Sequence, residues 1–202
     1  LSLMASGKRL GQFAITEPQA GSDAAAITTR AVRDGDHYVL NGSKCFASNW
    51  GAAELYYVAA KTDPTRGNKG VSILIVEKGT PGFHFGAKAR KMGMGGAPTG
   101  DLVFEDCRVP ATNLLGAEGE GFKTTMRAFS EERCGNAALS LGNAQGAYEY
   151  TLRYLKERVA FGQPLARFQG IQWMLADMAI QLDAARLLIH RAAWMADQGM
   201  VQ

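Results

Sequence analysis

Phe13-Ala14-Ile15-Thr16-Glu17-Pro18-Gln19-Ala20-Gly21-Ser22-Asp23 is the stretch that organises this chain. Residues 12–15 read as a short apolar strand, and the chain then turns at Pro18 into a loop of small residues. Ala20 and Gly21 have almost no side chain, so backbone N–H groups there can approach a flat or anionic ligand. Thr16 and Ser22 add hydroxyls that donate or accept. An ordinary turn after an edge strand is the plainer reading of the same residues.

Outward from this loop the first half reads as β structure. Residues 27–33 alternate towards a turn at Asp34-Gly35, residues 37–40 follow, and Asn41-Gly42 is a strong hairpin signal. Further strands are expected over 44–48, 55–60, 71–77, 83–87 and 101–109, with a polar loop over 62–69. Short strands at near-regular spacing indicate an antiparallel sandwich or barrel.

The period then changes. From Gly121 to about Arg158 helix formers dominate, residues 159–168 interrupt them with Gly162 and Pro164, and a second helical stretch follows. In that stretch Ile171, Met174, Leu175, Met178, Leu182, Ala185, Ile189 and Ala192 form an i, i+3, i+4, i+7 stripe. The fold class is therefore α+β and multidomain: an antiparallel β-sandwich or barrel domain over 1–110, then an up-down helical bundle domain over 111–202.

Composition narrows the function. The 202 residues are 47% hydrophobic and 20% charged with a net charge of +3, and Lys and Arg are dispersed, which speaks against a nucleic-acid face. No run approaches the ~20 apolar residues of a membrane helix. Cys45, Cys107 and Cys134 lie far apart without metal-type spacing, and their odd number suits a reducing compartment. Gly93-Met94-Gly95-Gly96 lies between strands and not in a βαβ unit, so it is no dinucleotide fingerprint. His37, His84 and His190 are scattered and read as structural or exposed.

Four ordered motifs resemble the acyl-CoA dehydrogenases, flavin enzymes that oxidise acyl-CoA thioesters between Cα and Cβ. They are Ile15-Thr16-Glu17 with Ala20-Gly21-Ser22-Asp23; Asn41-Gly42-Ser43-Lys44; Val103-Phe104-Glu105-Asp106 with Val109-Pro110; and Arg158-Val159-Ala160-Phe161-Gly162 with Gln169. The resemblance covers essentially the whole chain. Family members are longer at both ends, so a chain that starts at Leu1 and ends at Gln202, inside what reads as a helix, is expected to be a fragment. Many members carry Arg-x-Ser-x-Thr where Gly95, Ala97 and Thr99 stand here.

The resemblance implies FAD as cofactor, with Phe13, Ile15, Thr16, Gly21 and Ser22 near the flavin. Phe46 and Ser48 fall where the family has a Trp lid and a Thr, which keeps an aromatic face and a hydroxyl; on pattern alone Phe46 reads as core. Arg158 matches an arginine that reaches FAD, and Phe161 and Gln169 match too, contacting in the family the flavin of a neighbouring subunit. That implies a homo-oligomer, dimer or tetramer. Without the resemblance, Arg158 reads as a solvated cation at a helix end.

The reaction needs a carboxylate for the α-proton. Most members place it in a segment that would lie beyond Gln202, while a minority place it just before an arginine, a position Glu132 matches ahead of Arg133. The run Ser130-Glu131-Glu132-Arg133 also reads as a solvated helix start. Ser22 and Arg133 match acyl-CoA contacts. An electron-transfer flavoprotein is the implied acceptor, in the bacterial cytoplasm or the mitochondrial matrix. An acyl-CoA oxidase of the same fold and a catalytically incomplete binding or assembly fragment are the rivals.

Overall fold

The structure is a computed structural model that describes residues 2–200. It divides after Thr125 into two compact units.

In the first unit a short helix α1 (Ser2–Ala5) precedes seven strands of one curled mixed sheet. They are β1 (Gly11–Ala14), β2 (Arg30–Asp34), β3 (His37–Ser48), β4 (Leu55–Lys61), β5 (Val71–Glu77), β6 (Phe83–Lys88) and β7 (Thr99–Pro110). The order is β1-β4-β2-β3-β7-β6, with β5 paired to β4. Four pairings are antiparallel. Two are parallel: β1 runs beside β4 with Gly11 opposite Leu55, and β2 meets β4 at Arg30 and Lys61. Parallel neighbours need a long connection, and the β2–β3 hairpin lies within the one between β1 and β4.

Asn41-Gly42 is not a hairpin. The turn lies between Asp34 and His37, with Gly35 at φ 60°, and β3 runs straight through Asn41 and Gly42. The Asn41 side chain is engaged across the sheet instead: Oδ1 accepts from Asp106 N at 2.9 Å and Nδ2 donates to Asp106 Oδ1 at 3.1 Å. The register with β7 shifts between Leu40 and Gly42, and Gly42 takes φ 143° at a point where a Cβ would lie 2.6 Å from Thr29 Oγ1. The dipeptide thus serves a bulge, which also requires glycine.

The core follows the pairing. β4 is buried along almost its whole length, as a strand flanked on both edges should be. Tyr38, Leu40, Tyr56, Val58, Leu74, Val76 and Leu102 are fully buried. Phe83 stacks on Phe104 with ring centroids 5.1 Å apart and meets Tyr56 edge-on at 5.0 Å, a preferred aromatic geometry.

The long helix α2 (Gly121–Glu157) begins in the first unit and continues into the second, where α3 (Gln169–Asp197) follows. Between them lies a small hairpin of β8 (Val159–Ala160) and β9 (Gln163–Pro164). The two helices are antiparallel: Arg133 and Ala137 share a cleft with Leu188 and Ala192, whereas Tyr148 and Thr151 share an open apolar groove of about 780 Å³ with Met178 and Leu182. Arg186 Nη2 donates across to Gln145 Oε1 at 2.8 Å. Of the expected stripe on α3, Met178, Leu182, Ala185 and Ile189 line this groove, and Leu182 alone in the helix is buried. α3 ends at Asp197, with Gly199 at φ 67° as a C-terminal stop; Gln202 lies outside the described residues.

Candidate functional site

The opening stretch is built around one carboxylate. Glu17 and Ala20 exchange backbone hydrogen bonds, N to O at 3.0 Å each way, so residues 17–20 form a closed turn. The Glu17 side chain points inward and is 3% exposed. Its Oε1 accepts from Lys44 Nζ at 2.7 Å and Thr29 N at 3.0 Å. Its Oε2 accepts from Thr28 N at 2.6 Å, Thr28 Oγ1 at 2.9 Å and Gln19 Nε2 at 2.7 Å. Lys44 is fully buried and also donates to Ile15 O at 3.2 Å. Burial pushes the Glu17 carboxyl up, but the Lys44 and Thr hydrogen bonds and the Lys44 charge together outweigh it and hold the group down at about 2. For Lys44 burial dominates and brings the ammonium down to about 8, with Glu17 only partly offsetting it. Both groups remain charged at neutral pH.

The residues that immediately follow each member of this pair along the chain are more exposed. Cys45 N donates to Thr16 O at 2.8 Å, which brings Thr16 beside the next residue on β3, Phe46. Phe46 is not core. It sits at φ 58° where the β3–β7 register slips between Lys44 and Ala47, and it is 69% exposed. A left-handed conformation costs a residue with a Cβ about 1–2 kcal/mol, and an exposed aromatic gains no burial in return. Such an outlier points to function. Ser48 is exposed, Thr16 half-buried, and Gly21 and Ser22 exposed, with nothing within 4 Å of a Cβ placed on Gly21. Phe13 is half-buried and Ile15 buried, the latter lending its carbonyl to Lys44. A flat aromatic surface, two hydroxyls and an unobstructed glycine loop suit a planar ligand with a polar edge.

The remaining expected residues lie in the second unit. Arg158 follows the last residue of α2; its N–H donates to Tyr154 O and its carbonyl accepts from Leu165 N, both at 2.8 Å. Its guanidinium is exposed and makes no hydrogen bond or ion pair among the described residues. Phe161 at φ 51° and Gly162 at φ 78° form the β8–β9 turn; Phe161 is 95% exposed, with Phe168 edge-on at 6.1 Å. Gln169 is the exposed first residue of α3. One connector therefore gathers Arg158, Phe161 and Gln169.

Glu132 and Arg133 lie within α2, which starts at Gly121, so the helix-start reading of residues 130–133 is wrong. Glu132 is exposed. Arg133, also exposed, lines a cleft of about 280 Å³ with Cys134, Ala137, Leu188, Ile189 and Ala192. Neither Cys45 nor Cys107 is an activated thiol, since burial raises both, Cys107 to about 11.

In the sequence Glu17 and Lys44 stand only as members of two separate motifs, with no local sign of their partnership. Alternation carries an indirect signal: Tyr38, Leu40 and Lys44 share the inward face of β3, and an inward lysine demands an acid.

Comparison with known proteins agrees with this fold. Two family descriptions match: "Acyl-CoA dehydrogenase, middle domain" over residues 12–107 and "Acyl-CoA dehydrogenase, C-terminal domain" over residues 119–202. The chain is 51% identical over 201 residues to the acryloyl-CoA reductase (NADH) of Anaerotignum propionicum, covering 98% of itself and 51% of that protein. The structure of butyryl-CoA dehydrogenase from Megasphaera elsdenii matches with a TM-score of 0.95 at 46% identity, over 98% of this chain and 52% of that one. A chain in the structure described as "Electron transferring flavoprotein of Acidaminococcus fermentans" matches with a TM-score of 0.96 at 48% identity, over 100% and 53% respectively. The chain thus spans about half the length of the relatives it matches.

Proposed function

Since the chain belongs to the acyl-CoA dehydrogenase family, we propose that it is part of an FAD-dependent enzyme that converts an acyl-CoA thioester to the trans-2-enoyl-CoA. The observation that carries this reading is Phe46, held exposed and left-handed beside Thr16. The residues present fit a flavin: Phe46 would cover one face, Thr16 and Ser48 would meet the polar edge alongside backbone of Phe13 and Ile15, and the loop at Gly21 and Ser22 leaves room. Arg158, with Phe161 and Gln169, would meet the pyrophosphate end, arginine being suited to phosphate oxygens, in a neighbouring subunit of a dimer or tetramer.

When bound, the flavin supplies a two-electron acceptor for the hydride that leaves Cβ. The chain's own residues do the rest. Ser22 and Arg133 hold the acyl-CoA, and a carboxylate takes the α-proton as the Cα–Cβ double bond forms. In this chain Glu132 is the candidate for that base. Residues 1–110 would serve flavin and thioester, and residues 111–202 FAD and subunit assembly. An electron-transfer flavoprotein would take the electrons onward. The thiols of Cys45 and Cys107 and relatives from bacteria fit a cytoplasmic enzyme, with the mitochondrial matrix as the eukaryotic counterpart.

The 51% identity to a protein named acryloyl-CoA reductase (NADH) favours one second reading, the same equilibrium run towards the saturated thioester. An absorption spectrum of the full-length parent under argon tests both. Bleaching of a flavin band by a saturated thioester is the expected result. Reoxidation of the chemically reduced flavin by an enoyl thioester, without bleaching by the saturated one, would select the reductase. A colourless protein would sink both.

A further inference from the structure

We propose that the buried Lys44–Glu17 pair is a positioning device for the open face of the first unit, setting Thr16 and the Ser22 loop against Phe46 and Ser48. This rests on the flavin reading above for what the face holds, but its geometry is independent of that reading.

Three segments meet at one carboxylate. Gln19 precedes the Gly21–Ser22 loop and Thr28 and Thr29 follow it, so Glu17 grips the loop at both ends. The third segment is β3, through Lys44. Lys44 in turn reaches the strand side of the turn at Ile15 O, and the next residue, Cys45, binds Thr16 O. Immediately beyond is Phe46 with its left-handed backbone. The two halves of the face therefore share one pair of side chains as their common reference point.

The chemistry explains why charges stand here and not two apolar residues. The N–H groups of Thr28 and Thr29 turn inward, and an unmet buried N–H is costly. The two oxygens of the Glu17 carboxylate accept from both and from the side chains of Gln19, Thr28 and Lys44 as well; an apolar or hydroxyl side chain has too few acceptor sites to do so. The ammonium of Lys44 balances that carboxylate and adds a hydrogen bond to Ile15 O. Gly21, Ser22 and Asp23, between the gripped ends, are exposed and belong to no strand, so their placement follows from these anchors.

The test uses the full-length parent carrying Glu17→Gln with Lys44→Met, which removes both charges together and leaves no orphan ion. Amide hydrogen exchange on the flavin-free protein is expected to quicken at least tenfold at Thr28, Thr29 and Cys45 and to stay unchanged in β4 and β5. FAD is expected to dissociate at least tenfold more readily, and the thioester KM to rise more than kcat falls, in a protein that still melts cooperatively. Lys44→Arg, which keeps charge and donors, is expected to recover most of the FAD affinity. Wild-type exchange at Thr28, Thr29 and Cys45, or wild-type FAD affinity in the folded double variant, would overturn the proposal. Should that variant fail to fold, Gln19→Leu with Thr28→Val removes two exposed donors to the same carboxylate; about threefold weaker FAD supports the device, and unchanged affinity overturns it. A wild-type parent that takes up no flavin overturns the functional reading instead, and the exchange comparison then decides the positioning device by itself.

Discussion

The sheet and the helices of this chain solve burial in opposite ways. In the first unit Tyr38, Tyr56, Leu74, Leu102 and Phe104 are at most 1% exposed, and even a lysine is wholly enclosed with its acid. Beyond Thr125, among the described residues, only Leu155 and Leu182 are buried. Trp173, Ile180, Leu187 and Trp194 recur at every seventh residue of α3 and are 56% to 69% exposed, on the far side of the helix from Leu182. The sheet closes a core from its own residues. The helices carry apolar surface on two sides and bury little of it within the described residues. A helix draws most of its stability from packing an apolar face, so the lesson is that the sheet is self-supporting and the helices depend on what covers them.

The largest expected effect separates the two units directly. Lys44→Met leaves the Glu17 carboxylate buried without its partner and should cost about 3–5 kcal/mol, read by urea denaturation of the sheet. Leu187→Gln, at an exposed helical position, should stay within about 0.5 kcal/mol in this chain. Equal costs would erase the contrast.

Acid sharpens it next. The Glu17 carboxyl falls from 4.5 to about 2 on folding, so its contribution is fully present above pH 4.5 and is lost as pH falls through about 2. The amount is on the order of 3 kcal/mol, because one unit corresponds to about 1.4 kcal/mol. Lys44 runs the other way. Its folded value of about 8 lies below the ordinary 10.5, so the unfolded chain binds the extra proton between those values and stability through this residue rises with pH there. Melting temperatures across pH 2 to 10.5 check both signs. The ion pairs of the helical unit, Arg127–Glu131 and Arg186–Asp183, are exposed and should contribute little to either limb.

The smallest effect has a favourable sign. Phe46→Gly relieves a left-handed residue and should stabilise the sheet by about 1 kcal/mol, minus what glycine adds to the disorder of the unfolded chain. The same change should weaken flavin retention in the parent. A loss of stability would mean that Phe46 packs in a way its exposure denies.

Legibility in the sequence divides along similar lines. Local rules located the strands, both long helices and the break at residues 159–168, because alternation, helical period and Gly–Pro punctuation act over a few residues. What they missed depends on distant partners. Asn41-Gly42 reads as a hairpin until Asp106, from β7, takes up the Asn41 amide. The parallel seat of β1 beside β4 has no local sign. Phe46 reads as core because an aromatic in a strand ordinarily is, and only the slipped register turns it outward. On the ligand side, Thr16, Gly21 and Ser22 are visible as small and hydroxyl residues after a turn. The carboxylate that arranges them was in view in the same motif, yet its role needed Thr28, Thr29 and Lys44 in one place.

The parallel seat of β1 also sets an order of assembly. The β2–β3 hairpin closes between Asp34 and His37, and β4 and β5 face each other across one short connection, whereas β1 must find β4 with Gly11 against Leu55. Near contacts close faster than distant ones, so the hairpins are expected to form before two distant pairings close, β1 on β4 with Thr16 and Glu17 behind it, and β7 on β3 with His37 opposite Pro110. The loop that would greet a ligand thus waits on a distant pairing and not on a hairpin of its own.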